Sequence, residues 1–234
     1  MAPFMSIPGL GGPTPSFAKG QASGEASFSL KYYMNGDEIG TWRMYWSDGD
    51  YGTGTLTALQ FNAPSDGGDV MYLAGEKQTS DTQAWRSATV DLSQFWGTSG
   101  RLVFIYIKTV QGWRGDIAWD TASLTINGES TAYTASNKWR CTDPGQEFSN
   151  LATAVAAWTS GSSGTESTIS TSASTVPLVY DTGGRTASNN ASTGPSDGDG
   201  GGAYIYIETS NVATINMYNA SRYCWAYTTE IDLT

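Results

Sequence analysis

Apolar and polar residues alternate along much of this chain with a period of two, the side-chain period of a β-strand. In "SFSLKYYM", Phe28, Leu30, Tyr32 and Met34 share one face, while Ser27, Ser29, Lys31 and Tyr33 share the other. That is a half-buried strand. Asn35-Gly36 follows as a turn signal, and "TWRMYW" then groups Trp42, Met44 and Trp46. "TLTALQF", "DVMYLAGEK" and "QAWRSATVDLSQF" predict further strands. "RLVFIYIKTV" is nearly apolar on both faces, the pattern of a central strand. "GWRGDIAWDTASLTING" predicts a strand pair or one bent strand, ending at Asn127-Gly128. Residues 129–200 are rich in Ser, Thr and Gly, which suits long loops carrying short strands such as "STVPLVYD". Only "FSNLATAVAAW" has helical potential, and its short length argues against a helix. "AYIYIETS", "VATINMYN" and "YCWAYTTEIDL" return to strands. The fold expected is all-β, a two-sheet β-sandwich of jelly-roll type.

Residues 1–25 break the period. They hold four of the eight prolines and five glycines, so they read as an extended, flexible arm outside the core. The arm carries Phe4, Met5, Ile7, Leu10 and Phe17. Apolar side chains in such a tail suit docking on a partner or on the protein's own surface; an inert tail is the alternative.

Composition narrows the chemistry. The 234 residues carry a net charge of −10 and a pI near 4.3. A chain so short of Lys and Arg is ill suited to nucleic acid or to an anionic membrane surface, but it has carboxylates to spare for a hard cation such as calcium. It has no histidine, which removes the commonest general base and the commonest transition-metal ligand. Two cysteines, Cys141 and Cys224, exclude a structural zinc site in practice and leave one disulfide or two thiols open. The first 27 residues hold neither a basic leader nor a continuous apolar run, so neither a signal peptide nor a transmembrane segment is expected.

Three stretches resemble one family. "SLKYYMNGDEIGTWRMYW" resembles the mid-domain strand pair of MAM (meprin/A5/mu) domains. "AWRSATVDLSQFWGTSGRLVFIYIKTVQGWRGDIAWDTASL" resembles that domain's closing half, which ends in a Gly-Asp-Ile-Ala-x-Asp motif. "GGRTASNNASTGPSDGDGGGAYIYIETS" resembles its opening half. The order is inverted: residues 26–128 match the closing half, 129–146 form a connection, and 147–234 match the opening half. The resemblance implies that the two halves form one sandwich, within a chain as in a circular permutant or between neighbouring subunits. A fragment spanning two incomplete domains is the third alternative.

The same resemblance implies carboxylates that hold calcium or sodium. Carried over by motif, these are Asp116 and Asp120 of "GDIAWD", Asp197 and Asp199 of "SDGDG", and Glu147 of "GQEFSN". Trp96, Trp113 and Tyr51 are candidates for a sugar-stacking platform. No catalytic constellation is visible, and a conventional triad needs histidine. The functional expectation is a non-enzymatic structural or assembly protein at the virion surface (a capsid decoration, collar or fibre subunit) that associates with itself or with other virion proteins. The alternative is an extracellular adhesion or carbohydrate-binding module that recognises glycans.

Overall fold

The computed structural model describes residues 24–142, 146–162, 164–169, 177–184, 193–209 and 217–234. Apart from Gly24 and Glu25, the expected arm lies outside them, as do most of "VATINMYN" and part of the 129–146 connection. Among the described residues the chain forms seventeen strands and one α-helix, and the strands build two antiparallel sheets packed as a sandwich.

The first sheet runs in the order β14 (Leu178–Asp181), β15 (Tyr204–Ile207), β9 (Ile117–Ile126), β1 (Ala26–Met34), β7 (Arg86–Asp91), β4 (Phe61–Ala63), β5 (Gly68–Val70). Strand β10 (Glu129–Ala132) folds back on β9 through the Asn127-Gly128 turn. The second sheet runs β13 (Glu166–Thr168), β11 (Trp139–Thr142), β16 (Arg222–Thr228), β8 (Ser99–Ile107), β2 (Thr41–Ser47), β3 (Leu56–Ala58). Three short strands attach to its flanks: β6 (Leu73–Ala74), β12 (Gln146–Glu147) and β17 (Ile231–Asp232).

Late strands complete both sheets. In the first, β15 pairs with β9, Ile205 opposite Trp119. In the second, β16 pairs with β8 from Tyr223 opposite Ile107 to Tyr227 opposite Val103, and Ile231 pairs with Gly100. The long edges that β8 and β9 would otherwise expose are paired with strands of the same chain, so that among the described residues the sheets end in strands of three or four residues, a less inviting template for aggregation.

Between the sheets lies an aromatic core. Trp119 stacks on Trp42 at 5.6 Å and meets Phe104 and Trp139 edge-on at 5.4 and 5.2 Å. Phe28 packs edge-on against Phe104 at 6.3 Å and Trp139 at 6.5 Å. Strand β8 is apolar on both faces because both are covered. Leu102, Phe104 and Tyr106 point into the core, while Val103 and Ile105 lie under the helix.

That helix, α1 (Leu151–Thr159), corrects the expectation drawn from its length. Nine residues cannot sustain a helix in water, but contacts at both ends hold this one. The Asn150 side chain accepts the Thr153 N–H at 3.0 Å, a cap at the N-terminus. At the other end the Trp158 indole donates to Ser47 at 3.2 Å and packs edge-on against Tyr227 at 5.1 Å.

The Asn35-Gly36 turn departs from a hairpin. β1 and β2 belong to different sheets, so residues 35–40 cross the sandwich edge. Gln78 takes up the exposed end of β1: its amide oxygen accepts the Met34 N–H at 2.9 Å, and its carbonyl accepts Asn35 Nδ2 at 2.9 Å. "DIAWDTASLTI" proves to be one bent strand, β9. Its register against β1 slips between Ser29 and Lys31, beside Thr121 with φ of 46°.

Candidate functional site

The five carboxylates taken from the motifs fall in three places. Asp116, fully buried at the start of β9, accepts the Thr209 N–H at 3.0 Å and its hydroxyl at 3.1 Å through one oxygen, Oδ1. Asp120, Asp197 and Asp199 gather where the 196–202 loop crosses the β9 bulge. Asp120 accepts the Asp199 N–H at 2.7 Å, and Thr121 Oγ1 donates to Asp199 at 3.2 Å. Glu147 is remote from both groups, exposed on β12 and paired with Arg222 at 3.3 Å.

Apart from the Thr121 hydroxyl, the donors in the loop cluster are backbone amides. Asp197 Oδ1 accepts the N–H groups of Gly198, Gly202 and Gly184 at 2.9, 3.1 and 3.2 Å. These bonds hold its carboxyl below the usual carboxylate range. Burial pushes Asp120 the other way, against the pull of the Thr121 and Asp199 amides. Glycine at 198 is obligatory, since a Cβ there would sit 2.7 Å from the Gly202 carbonyl and 2.9 Å from Asp120 Oδ2. Among the described residues no three of the acidic or sulfur side chains converge as a cation site. The arrangement ties the "SDGDG" loop to β9 and β14. Replacing Asp197 by alanine is expected to speed amide exchange at Gly184, Gly198 and Gly202 by about tenfold, the worth of one charge-assisted hydrogen bond (~1.4 kcal/mol). Hydrogen exchange read by mass spectrometry checks this. The same stabilisation should fade as pH falls through the depressed carboxyl pKa.

Asp116 belongs instead to a buried charged group that the sequence reading did not assemble. Lys108, at the end of β8, donates to the Glu38 carbonyl at 3.0 Å and lies in the fields of Asp116, Glu38 and Glu208. Burial lowers its ammonium to about 8 despite those carboxylates. The only hint in sequence was a lysine closing the apolar run "RLVFIYIK".

The three aromatics do not form one platform. Trp96 precedes β8 and Trp113 follows it, so roughly 30 Å of strand separates them. Tyr51 packs against Trp158 and Tyr227 and donates its hydroxyl to the Gly164 carbonyl. Cys141 and Cys224 sit buried on neighbouring strands β11 and β16 as thiols. Burial, reinforced by Cys141, raises the Cys224 thiol.

One concavity is built by the sheet itself. The outer face of the first sheet carries the polar half of the alternation, and the register lines it up: Asp69 opposite Asn62, Asn62 opposite Thr89, Asp91 opposite Ser27, Ser27 opposite Thr125. The result is a groove of about 670 Å³ that runs from β5 across β4 and β7 to β1 and β9. Glu25, Asp69 and Asp91 supply negative charge, Gln60 and Asn62 supply amides, and among the described residues none that lines the groove is Lys or Arg.

The first residues of β1 form one wall. Glu25 and Asn127 exchange bonds, the Glu25 N–H to the Asn127 side chain at 3.1 Å and the Asn127 N–H to the Glu25 carbonyl at 2.8 Å. The Ala26 N–H donates to Ser93 at 3.1 Å. Gly24 lies flat on Trp96, where a Cβ would come within 2.2 Å of the indole. Compared with protein-family models, with curated proteins and with solved structures, the chain matches none.

Proposed function

We propose that this protein is a non-enzymatic structural subunit of an assembly, a component of a virion surface such as a capsid decoration, collar or fibre, whose N-terminal arm engages its neighbours. One observation carries the reading: among the described residues both sheets and the core assemble from Ala26 onward, while the apolar Phe4, Met5, Ile7, Leu10 and Phe17 all precede the first strand in sequence. The joining of β15 to β9 and of β16 to β8 supports treating the sandwich as MAM-like, its opening and closing halves in inverted order within one chain. Among the described residues no helix is long and apolar enough to cross a membrane.

Deletion of residues 1–23 tests the proposal. The truncated chain is expected to keep its stability within about 0.5 kcal/mol while failing to join particles or oligomers that the full chain forms, measured by sedimentation and by light scattering after size exclusion. Equal incorporation of both chains rejects it.

A second reading, an adhesion or carbohydrate-binding module, is favoured by the groove, whose amides, hydroxyls and carboxylates suit sugar hydroxyls. A glycan array probed with the monomer tests it.

A further inference from the structure

We infer that Arg43, with Tyr72 and Met71 beside it, binds the carboxylate of an acidic saccharide on the outer face of the second sheet. The inference goes beyond both readings above: it uses neither the arm nor the groove, and its failure leaves them standing.

Strand register builds the site. The period of two in "TWRMYW" turns Trp42 and Met44 into the core and leaves Arg43 and Tyr45 on the outer face. Arg43 stands half-buried opposite Ile105, one of the residues under α1. Strand β6 pairs Leu73 with Trp42, which brings the preceding Tyr72 alongside Arg43. There the guanidinium carbon lies 4.6 Å from the centre of the Tyr72 ring. Tyr72 is nevertheless 46 % exposed, as is Met71, so the two offer a ligand an open ring and a thioether.

Charge selects the ligand. Arg86, Arg101, Arg114 and Arg222 each meet a carboxylate. Arg43 meets none among the described residues, although the chain carries 22 acidic side chains against 12 basic ones. Burial raises the Tyr45 and Tyr223 phenols, and the Arg43 charge pulls both back, with no carboxylate among the described residues opposing it there. The Arg43 Nε is buried without a hydrogen-bond partner, so part of its N–H fork is desolvated and unsatisfied. A guanidinium that lies over a ring keeps its N–H edge for a carboxylate, which it grips through two parallel bonds. An anion therefore fits. The exposed ring beside the fork favours one carried on a flat, partly apolar body, as in a uronic-acid sugar.

Titration calorimetry of the full chain with a galacturonate trisaccharide tests the site. This sugar is expected to bind, and the neutral galactose trisaccharide at the same concentration is not. Arg43→Gln should weaken binding about tenfold and Tyr72→Ala about fivefold. Arg43→Lys keeps the charge without the fork and should fall between wild type and Arg43→Gln. Raising salt to about 0.5 M, where the Debye length shrinks to roughly 4 Å, should also weaken the wild type. An unchanged circular dichroism melt confirms the fold of each variant; Tyr72→Ala and the salt series stand by themselves should Arg43→Gln misfold.

No binding at millimolar sugar, equal affinity in Arg43→Gln, or equal binding of the galactose trisaccharide overturns the inference. Pentaglutamate that binds more tightly than the sugar assigns Arg43 to an acidic peptide and overturns it as well. So does an equal loss in the groove variant Asp69→Asn/Asp91→Asn, which places the ligand on the first sheet.

Discussion

Trp119→Ala is expected to remove about 3–5 kcal/mol of folding stability, a large part of what a domain of this size has. The indole is fully buried on β9, between Ile205 of β15 and Tyr32 of β1. It also reaches across to Trp42, Phe104 and Trp139. Three separate parts of the chain therefore lose their common contact when it is truncated, and the cavity lies where rigid rings cannot collapse to fill it. Urea unfolding followed by fluorescence and circular dichroism measures the loss. Trp113→Ala serves as the comparison, since its side chain is exposed and should change stability by less than about 0.5 kcal/mol. A loss below about 1 kcal/mol at Trp119 would show that the late strands are not essential to the core.

The strands that meet there were legible in the sequence because β1, β8 and β16 carry long apolar patterns, whereas their pairing was not. Phe28, Leu30 and Tyr32 alternate inward, and the doubly apolar β8 lies between β2 and β16 with a cover on each face. What local pattern does not contain is register. Ser27, Asn62, Thr89 and Asp91 each read as ordinary solvent-facing positions, and only pairing places them side by side as a groove. Helix α1 was misjudged for a related reason: Asn150 is a visible cap, but the stabilising partners of Trp158 lie more than sixty residues away, at Ser47 and Tyr227. The motif carboxylates show a third kind of gap. "GDIAWD" suggested that Asp116 and Asp120 act together, yet Asp116 is bonded to Thr209 and Asp120 to the Asp199 amide. The start of β9 and its bulge separate what the motif resemblance would group.

Lys108→Met is expected to stabilise the protein at pH 7, by about 2 kcal/mol. Burial lowers the ammonium to about 8 even after Asp116, Glu38, Glu208 and Asp37 have pulled it upward, so their attraction is already counted. A drop from 10.5 to about 8 corresponds to about 3 kcal/mol by which the folded state disfavours the charged form. Losing the hydrogen bond to the Glu38 carbonyl offsets about 1 kcal/mol of the gain. The sign with pH follows from proton counts. Below pH 8 both folded and unfolded chains hold the proton, and the penalty is full and constant. Between about 8 and 10.5 the unfolded chain binds more protons, so wild-type stability rises with pH. The buried Cys224 thiol and the buried tyrosines act in the opposite direction, since their raised pKa values keep them protonated in the fold after they have ionised in the unfolded chain. These contributions are common to both proteins and cancel in the difference. The advantage of the methionine variant should therefore shrink by about 1.4 kcal/mol per pH unit above pH 8 and reverse before pH 10.5, in paired urea titrations. A variant destabilised at pH 7, or a gap that does not move with pH, would mean that the carboxylates around Lys108 hold its charge more favourably than burial opposes it. A lysine that costs stability at the meeting point of β8, β9 and β15 is one that packing alone does not account for.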